Sequence, residues 1–279
     1  MPTIEANGLT VGYDIEGAGP PMIMLHGATS IGSDDWAAQR PLFSRSFRLY
    51  LPDARGHGRT RWDAAQGFSH ETLVADLLAF ADGLALETFH LIGFSMGAMT
   101  ALTFATRYPE RLRTLVVCGI TTQREPRLSV ARRLMDPTRA DADPAWAATL
   151  ARRHDAGQGV GAWRVLLPAI AEDVGLQALL GPREMRQVEL PAMVCVGDRD
   201  PFVPVDHAWG MSRQLPQGRL FVAPDCGHEV MVRRPGLFNE AVGGFYRATE
   251  PIARERAAGE GDPGDANAGE ADAAGGASL

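Results

Sequence analysis

The strongest constraint on the fold is a set of short, largely apolar runs: Met22-Ile23-Met24-Leu25, Phe89-His90-Leu91-Ile92, Leu115-Val116-Val117-Cys118 and Met193-Val194-Cys195-Val196. Each is bounded by Gly or Pro and too short for a helix. Continuous apolar runs of this length suit strands buried on both faces of a parallel sheet. Phe47–Leu51 and Arg219–Val222 read as further strands. Asn7-Gly8, between Thr3–Ala6 and Leu9–Tyr13, predicts a hairpin. Helical patterns fall between these runs at Glu71–Leu84, Met96–Tyr108, His207–Leu215 and Leu237–Tyr246. Alternating strands and helices predict an α/β protein with a mostly parallel central sheet flanked by helices.

Two segments break the alternation. Residues 121–188 contain no convincing strand, are rich in Ala, Arg and Leu, and carry ten arginines against eight acids. They are read as a helical insertion between two parts of one core, residues 1–120 and 189–249. Residues 250–279 are acidic and rich in Ala and Gly, and are read as a disordered tail, because such a composition buries too little apolar surface to offset the entropy of ordering.

Composition removes several classes of function. All 27 basic residues are arginine, so lysine nucleophiles, Schiff-base cofactors and P-loop lysines are excluded. The net charge of −7 argues against nucleic acid as a partner. No apolar run reaches the length of a membrane helix, and Met1–Glu5 lacks a signal-peptide pattern, so a cytoplasmic protein without a membrane partner is expected. Cys118, Cys195 and Cys226 are scattered, which fits reduced, buried thiols. No cluster has metal-ligand spacing, and no Gly-x-Gly-x-x-Gly follows a strand; neither a metal nor a cofactor is expected.

The chemistry centres on Gly93-Phe94-Ser95-Met96-Gly97. It follows the Phe89–Ile92 run and opens a helical pattern, the context that a Gly-x-Ser-x-Gly nucleophile elbow requires. The serine then projects from a strained turn at a helix N-terminus, where developing negative charge is favoured. Among seven histidines, His228 is the best-placed base, in Gly227-His228-Glu229 after a late strand. Asp198 and Asp200, in the loop after Met193–Val196, are both candidates to orient it. The order serine, acid, histidine marks one triad class. His26-Gly27-Ala28-Thr29 follows the Met22–Leu25 run, and the backbone N–H groups of Ala28 and Met96 are the candidate oxyanion hole.

Taken in order, Leu25-His26-Gly27, Asp53-Ala54-Arg55-Gly56-His57-Gly58, Gly93–Gly97, Gly197-Asp198-Arg199-Asp200 and Gly227-His228 resemble the α/β-hydrolase fold, in its esterase, haloperoxidase-like and enol-lactonase-like group. The resemblance covers roughly residues 3 to 249. It implies that Asp200 is the acid and that residues 121–188 form a helical cap over the active site. In place of a further glycine common in such relatives, the elbow here is followed by Ala98, still small enough for helix-on-strand packing.

The expected activity is that of a serine hydrolase. Its substrate would be a small-molecule ester, lactone or related carbonyl compound. Activity is expected to fall as His228 takes up a proton at acid pH. Dehalogenases and epoxide hydrolases of similar fold carry Asp at the elbow, so Ser95 disfavours both chemistries. The alternatives are carbon–carbon bond hydrolysis, acyl transfer, a peracid-forming side activity, or a small-molecule receptor with vestigial hydrolysis; the sequence leaves monomer and homodimer open. His26 and His57 are expected to brace loops, Asp53 with Arg55 to form a buried ion pair or a loop brace, Cys226 to be a small buried residue near His228, and the insertion arginines to be mostly a solvated face. Trp146 and Trp163 suit either a pocket wall or helix packing.

Overall fold

The computed structural model describes residues 2–259, with side chains described up to residue 250. Eight strands form one sheet: β1 (Thr3–Ala6), β2 (Leu9–Glu16), β3 (Pro21–Leu25), β4 (Arg48–Pro52), β5 (Phe89–Phe94), β6 (Leu112–Cys118), β7 (Ala192–Gly197) and β8 (Gly218–Ala223). Their spatial order is β1-β2-β4-β3-β5-β6-β7-β8. The predicted hairpin is present, with Ala6 opposite Leu9 and Asn7 and Gly8 at positive φ in the turn. β2 pairs antiparallel with β4, and every pairing from β4 to β8 is parallel.

The helices are α1 (Gly32–Asp35), α2 (Arg40–Phe43), α3 (His70–Gly83), α4 (Met96–Arg107), α5 (Arg127–Leu134), α6 (Pro137–Ala142), α7 (Pro144–Gln158), α8 (Trp163–Leu176), α9 (Pro182–Met185), α10 (Val205–Gln214), α11 (Val230–Arg233) and α12 (Pro235–Gly259); α3, α4, α10 and α12 are among those that flank the sheet, and α5–α8 pack mainly on one another. The apolar runs are continuous because successive side chains of one strand enter different cores. Ile23 and Leu25 join a cluster with Leu77, Phe80, Leu102 and Met211. Met22 and Met24 join a second cluster with Trp36, Phe238, Val242 and Phe245. Each fully buried side chain of this size contributes about 1.5–3 kcal/mol relative to exposure.

α3 starts where Ser69 caps the Thr72 amide, and it buries Leu73, Val74, Leu77, Phe80 and Ala81 on one stripe. α12 buries Phe238, Val242, Phe245 and Tyr246 at helical spacing. It continues through residues 250–259, which the composition had assigned to the tail; Ala253-Arg254-Glu255-Arg256-Ala257-Ala258 is rich in helix-favouring residues. The rest of the expected tail lies outside the described residues. α5 to α9 all lie between β6 and β7, within the segment read as an insertion. No helix among the described residues is long and apolar enough to cross a membrane.

Candidate active site

The carboxyl ends of β3, β5, β6, β7 and β8 converge on one edge of the sheet. Ser95 follows β5 with φ 51° and ψ −112°, a sparsely populated conformation for a side-chain-bearing residue. The strain is held on both sides. The Ser95 amide donates to the Cys118 carbonyl on β6 at 2.8 Å, and the Gly97 amide donates to the His26 carbonyl at 3.1 Å. A side chain at Gly97 would strike that same carbonyl oxygen and Leu25, which is why the elbow needs glycine there.

Ser95, His228 and Asp200 lie in one hydrogen-bonded series. The Ser95 hydroxyl is 3.0 Å from His228 Nε2, and His228 Nδ1 is 2.7 Å from Asp200 Oδ2. The Asp200 side chain is fully buried, and its other oxygen accepts from the Phe202 and Val203 amides at 2.8 and 3.2 Å. That arrangement fixes His228 with Nδ1 as donor and Nε2 facing the serine. Phe202 and Phe94 flank the imidazole, with ring centroids 4.2 and 4.9 Å away. Asp198 is turned elsewhere: it accepts the Cys226 amide at 3.0 Å and lies 3.6 Å from Arg199. Between the two acids left open by the residues alone, the structure brings Asp200 to His228.

Ala28 and Met96 line the same cavity as Ser95, and neither amide donates a hydrogen bond among the described residues. The Met96 amide is one of the free donors at the start of α4. The Ala28 loop is tied down around it. Gly27 donates to Asp35 Oδ2 at 2.8 Å, and Thr29, at φ 64°, donates to His57 Nε2 at 3.2 Å. His26 and His57 are buried loop braces, as expected. His26 Nε2 accepts the Ala54 amide at 2.9 Å, and His57 Nδ1 donates to the Arg55 carbonyl at 2.9 Å. Burial holds His57 well below the usual histidine range, and the positive charge available to His26 and His154 pushes it the same way.

Of the two expectations for Asp53 and Arg55, the mutual ion pair does not form, and each residue braces a loop through another partner. Asp53 instead binds Arg59 Nε at 2.7 Å, while Arg55 makes two bonds of 2.6 Å to Asp76. The side chains of Asp53 and Arg55 are drawn to different neighbours, one across the Gly56–Gly58 turn and one on α3. Cys226 is buried at the cavity wall, and burial pushes its thiol up, away from the reactive thiolate.

The cavity measures about 760 Å³. One side carries Ser95, His228, Ala28 and Met96; residues 121–188 supply much of the rest, including Arg127, Met135, Trp146, Ile170 and Gln177. Trp146 thus lines the cavity and also packs on the Trp163 cluster, whereas Trp163 itself is buried among the insertion helices with Leu150 and Leu167. Most of the insertion arginines face solvent, as expected, but not all. Arg127 is buried, and Arg153 binds Asp34 at 2.9 Å and the Thr29 carbonyl at 3.0 Å. The signal for Arg127 was its place on the same stripe as Ala131, one helical turn on, with Leu128 and Val130 beside it. His70, Asp173 and Gln177 also reach the cavity and carried no motif in the sequence. Among the described residues, no group of His, Cys, Asp and Glu is arranged to hold a metal.

Known proteins share this arrangement of strands and loops. The chain is 26% identical over 266 residues to a 2-hydroxy-6-oxo-2,4-heptadienoate hydrolase of Pseudomonas putida, spanning 88% of this chain and 96% of the relative. A thermophilic esterase from Thermogutta terrifontis superposes with a TM-score of 0.74 at 23% identity, over 88% of this chain and 98% of the other. The enol-lactonase from Burkholderia xenovorans superposes with a TM-score of 0.70 at 23% identity, over 88% of this chain and 100% of the other. Residues 22–241, from β3 through the start of α12, match the alpha/beta hydrolase family, and with the elbow, the sheet order and the converging loops described above this makes the chain a member of that family of hydrolases.

Proposed function

We propose that the protein is a serine hydrolase that cleaves a carboxylic ester or lactone of a small organic substrate. The observation that carries this reading is the unbroken series Ser95–His228–Asp200, with separations of 3.0 and 2.7 Å. Ser95 Oγ attacks the carbonyl carbon as its proton passes to His228 Nε2. Asp200 holds the imidazole in the required tautomer and stabilises the imidazolium. The carbonyl oxygen, now negative, accepts hydrogen bonds from the Ala28 and Met96 amides, each lowering the barrier by about 3 kcal/mol. The bond to the leaving oxygen then breaks, and that oxygen takes the proton from His228. Water, deprotonated by His228, attacks the acyl-enzyme, releases the acid and restores Ser95.

Helices α5–α8 act as a cap in this reading, while α9 packs against α10 and the core. The cap helices supply a large share of the cavity wall, so they set which acyl groups fit and keep bulk water from the acyl-enzyme. The esterase and enol-lactonase superpositions are consistent with ester and lactone chemistry on this fold. A second reading is hydrolysis of a carbon–carbon bond, favoured by the names of curated relatives such as the 2-hydroxymuconate semialdehyde hydrolase of Pseudomonas, 26% identical over 269 residues.

The test is hydrolysis of chromogenic aryl esters of graded acyl length by wild type and Ser95→Ala. Turnover in the wild type with a loss on the order of 10⁴–10⁶-fold in the variant is expected. A folded wild type inert toward every ester, yet active on a 2-hydroxy-6-oxo dienoate, would replace the ester reading with the carbon–carbon one.

A further inference from the structure

Among the described residues, two arginines are buried, Arg55 and Arg127, at 3% and 9% exposure. Arg55 shows what a buried guanidinium needs. Its Nε and Nη2 form a side-on fork that grips both oxygens of Asp76, each at 2.6 Å. Arg127 has the same edge and nothing on it: Nε and Nη2 have no hydrogen-bond partner among the described residues. Its Nη1 alone is used, donating to Gln177 Oε1 at 2.9 Å. Among the described residues, no carboxylate lies within ion-pair distance of it. Asp173, on the same cavity wall, is engaged by the His70 amide at 2.6 Å and by Gln177 Nε2 at 3.4 Å. Burial weakens the hold of Arg127 on its proton, to a pKa of about 10, with Asp173 pulling back.

A buried guanidinium with two N–H groups left unpaired is costly, Asp173 acts on it only at a distance, and it lines the cavity that holds Ser95. An anion entering that cavity supplies what the fold does not. We propose that the substrate carries a carboxylate, and that Arg127 binds it through the Nε–Nη2 edge while Ser95 faces the scissile carbonyl. The proposal rests on the serine hydrolase reading for the second half of that sentence only. The edge is closed to solvent in this structure, so binding requires the side chain to swing about its own torsions from Gln177 into the cavity. A planar, two-oxygen anion matches the edge as Asp76 matches Arg55. The substrate class is then an ester or lactone with a free acid group elsewhere on the molecule.

The experiment pairs esters that differ only in that group. Mono-4-nitrophenyl succinate, glutarate and adipate are compared with neutral 4-nitrophenyl esters of matched chain length. Binding is read by calorimetry on Ser95→Ala, which retains the ligand, and turnover is read on the wild type. At least one acid ester is expected to bind Ser95→Ala tenfold or more tightly than its neutral partner. The ratio is expected to fall towards one when Arg127→Met is added, and to be partly kept with Arg127→Lys. Equal affinities within every pair, or a preference that survives Arg127→Met, overturn the proposal. If both substitutions at 127 fail to fold, equal affinities in the Ser95→Ala protein still overturn the proposal. Binding preference without wild-type turnover sinks the hydrolase reading and leaves the carboxylate site standing. Turnover without preference does the reverse.

Discussion

At the scale of single residues, two aspartates two positions apart have opposite fates. Asp198 and Asp200 share a loop, a charge and proximity to β7, and composition cannot separate them. Backbone geometry does. The Phe202 and Val203 amides both point at Asp200, which locks its carboxylate under His228, whereas Asp198 is drawn to the Cys226 amide and Arg199. Asp200→Asn removes the acceptor that selects the histidine tautomer, and kcat is expected to fall by about 10⁴-fold with little loss of fold. Asp198→Asn keeps an acceptor for the Cys226 amide, and its kcat is expected to stay within a few-fold of wild type. Steady-state kinetics on one ester checks both. Equal losses in the two variants would mean that the acid has been misassigned.

At the scale of elements, helix α7 reaches the Ala28 loop, the proposed oxyanion loop, from the insertion. His154 Nδ1 accepts the Gly58 amide at 3.1 Å, and its Nε2 donates to the Thr29 carbonyl at 3.2 Å. The Arg153 side chain grips the same carbonyl. Thr29 follows Ala28, so the helix sets where the Ala28 amide points. His154→Ala is expected to lower kcat by about ten- to a hundredfold, the usual cost of a misplaced catalytic group. KM for a small neutral ester is expected to change by much less, and a KM effect equal to the kcat effect would contradict the link. This is also where the sequence stopped being informative. β3, β5, β6 and β7 were legible because a strand buried on both faces needs an unbroken apolar run, and the elbow was legible because its close contacts demand glycine. The partners of His154 lie 96 and 125 residues away, and Arg127 meets Gln177 across 50 residues. No local pattern encodes which helix face of an insertion meets which loop. Asp53 and Arg55 do brace loops, but their partners, Arg59 and Asp76, are set by tertiary contacts that adjacency along the chain does not encode.

At the scale of the whole molecule, buried histidines make the fold sensitive to acid. Burial lowers His70 and His154 to about 4; Glu71 opposes this at His70, and the Thr29 carbonyl opposes it at His154. Below pH 6.5 the unfolded chain takes up these protons while the folded chain does not. Stability conferred by the neutral histidines is therefore full above about pH 6.5 and declines down to about pH 4. The slope is about 1.4 kcal/mol per pH unit for each. Asp35 and Asp173, raised by burial, act in the opposite sense, so single variants are needed to isolate each histidine. Urea denaturation at pH 6.5 and 5 is expected to show a difference smaller by about 2 kcal/mol in His70→Gln and again in His154→Ala. An unchanged pH difference in either variant would show that the histidine is charged in the folded state.

The claim on which everything else depends is that Ser95 is the nucleophile. It is tested most directly by exposing the full chain to a fluorophosphonate and mapping the adduct by mass spectrometry. One adduct per chain is expected, on Ser95, absent from Ser95→Ala and formed far more slowly in His228→Ala. No adduct on a folded protein, or an adduct carried by Cys226 or another residue, would contradict the account.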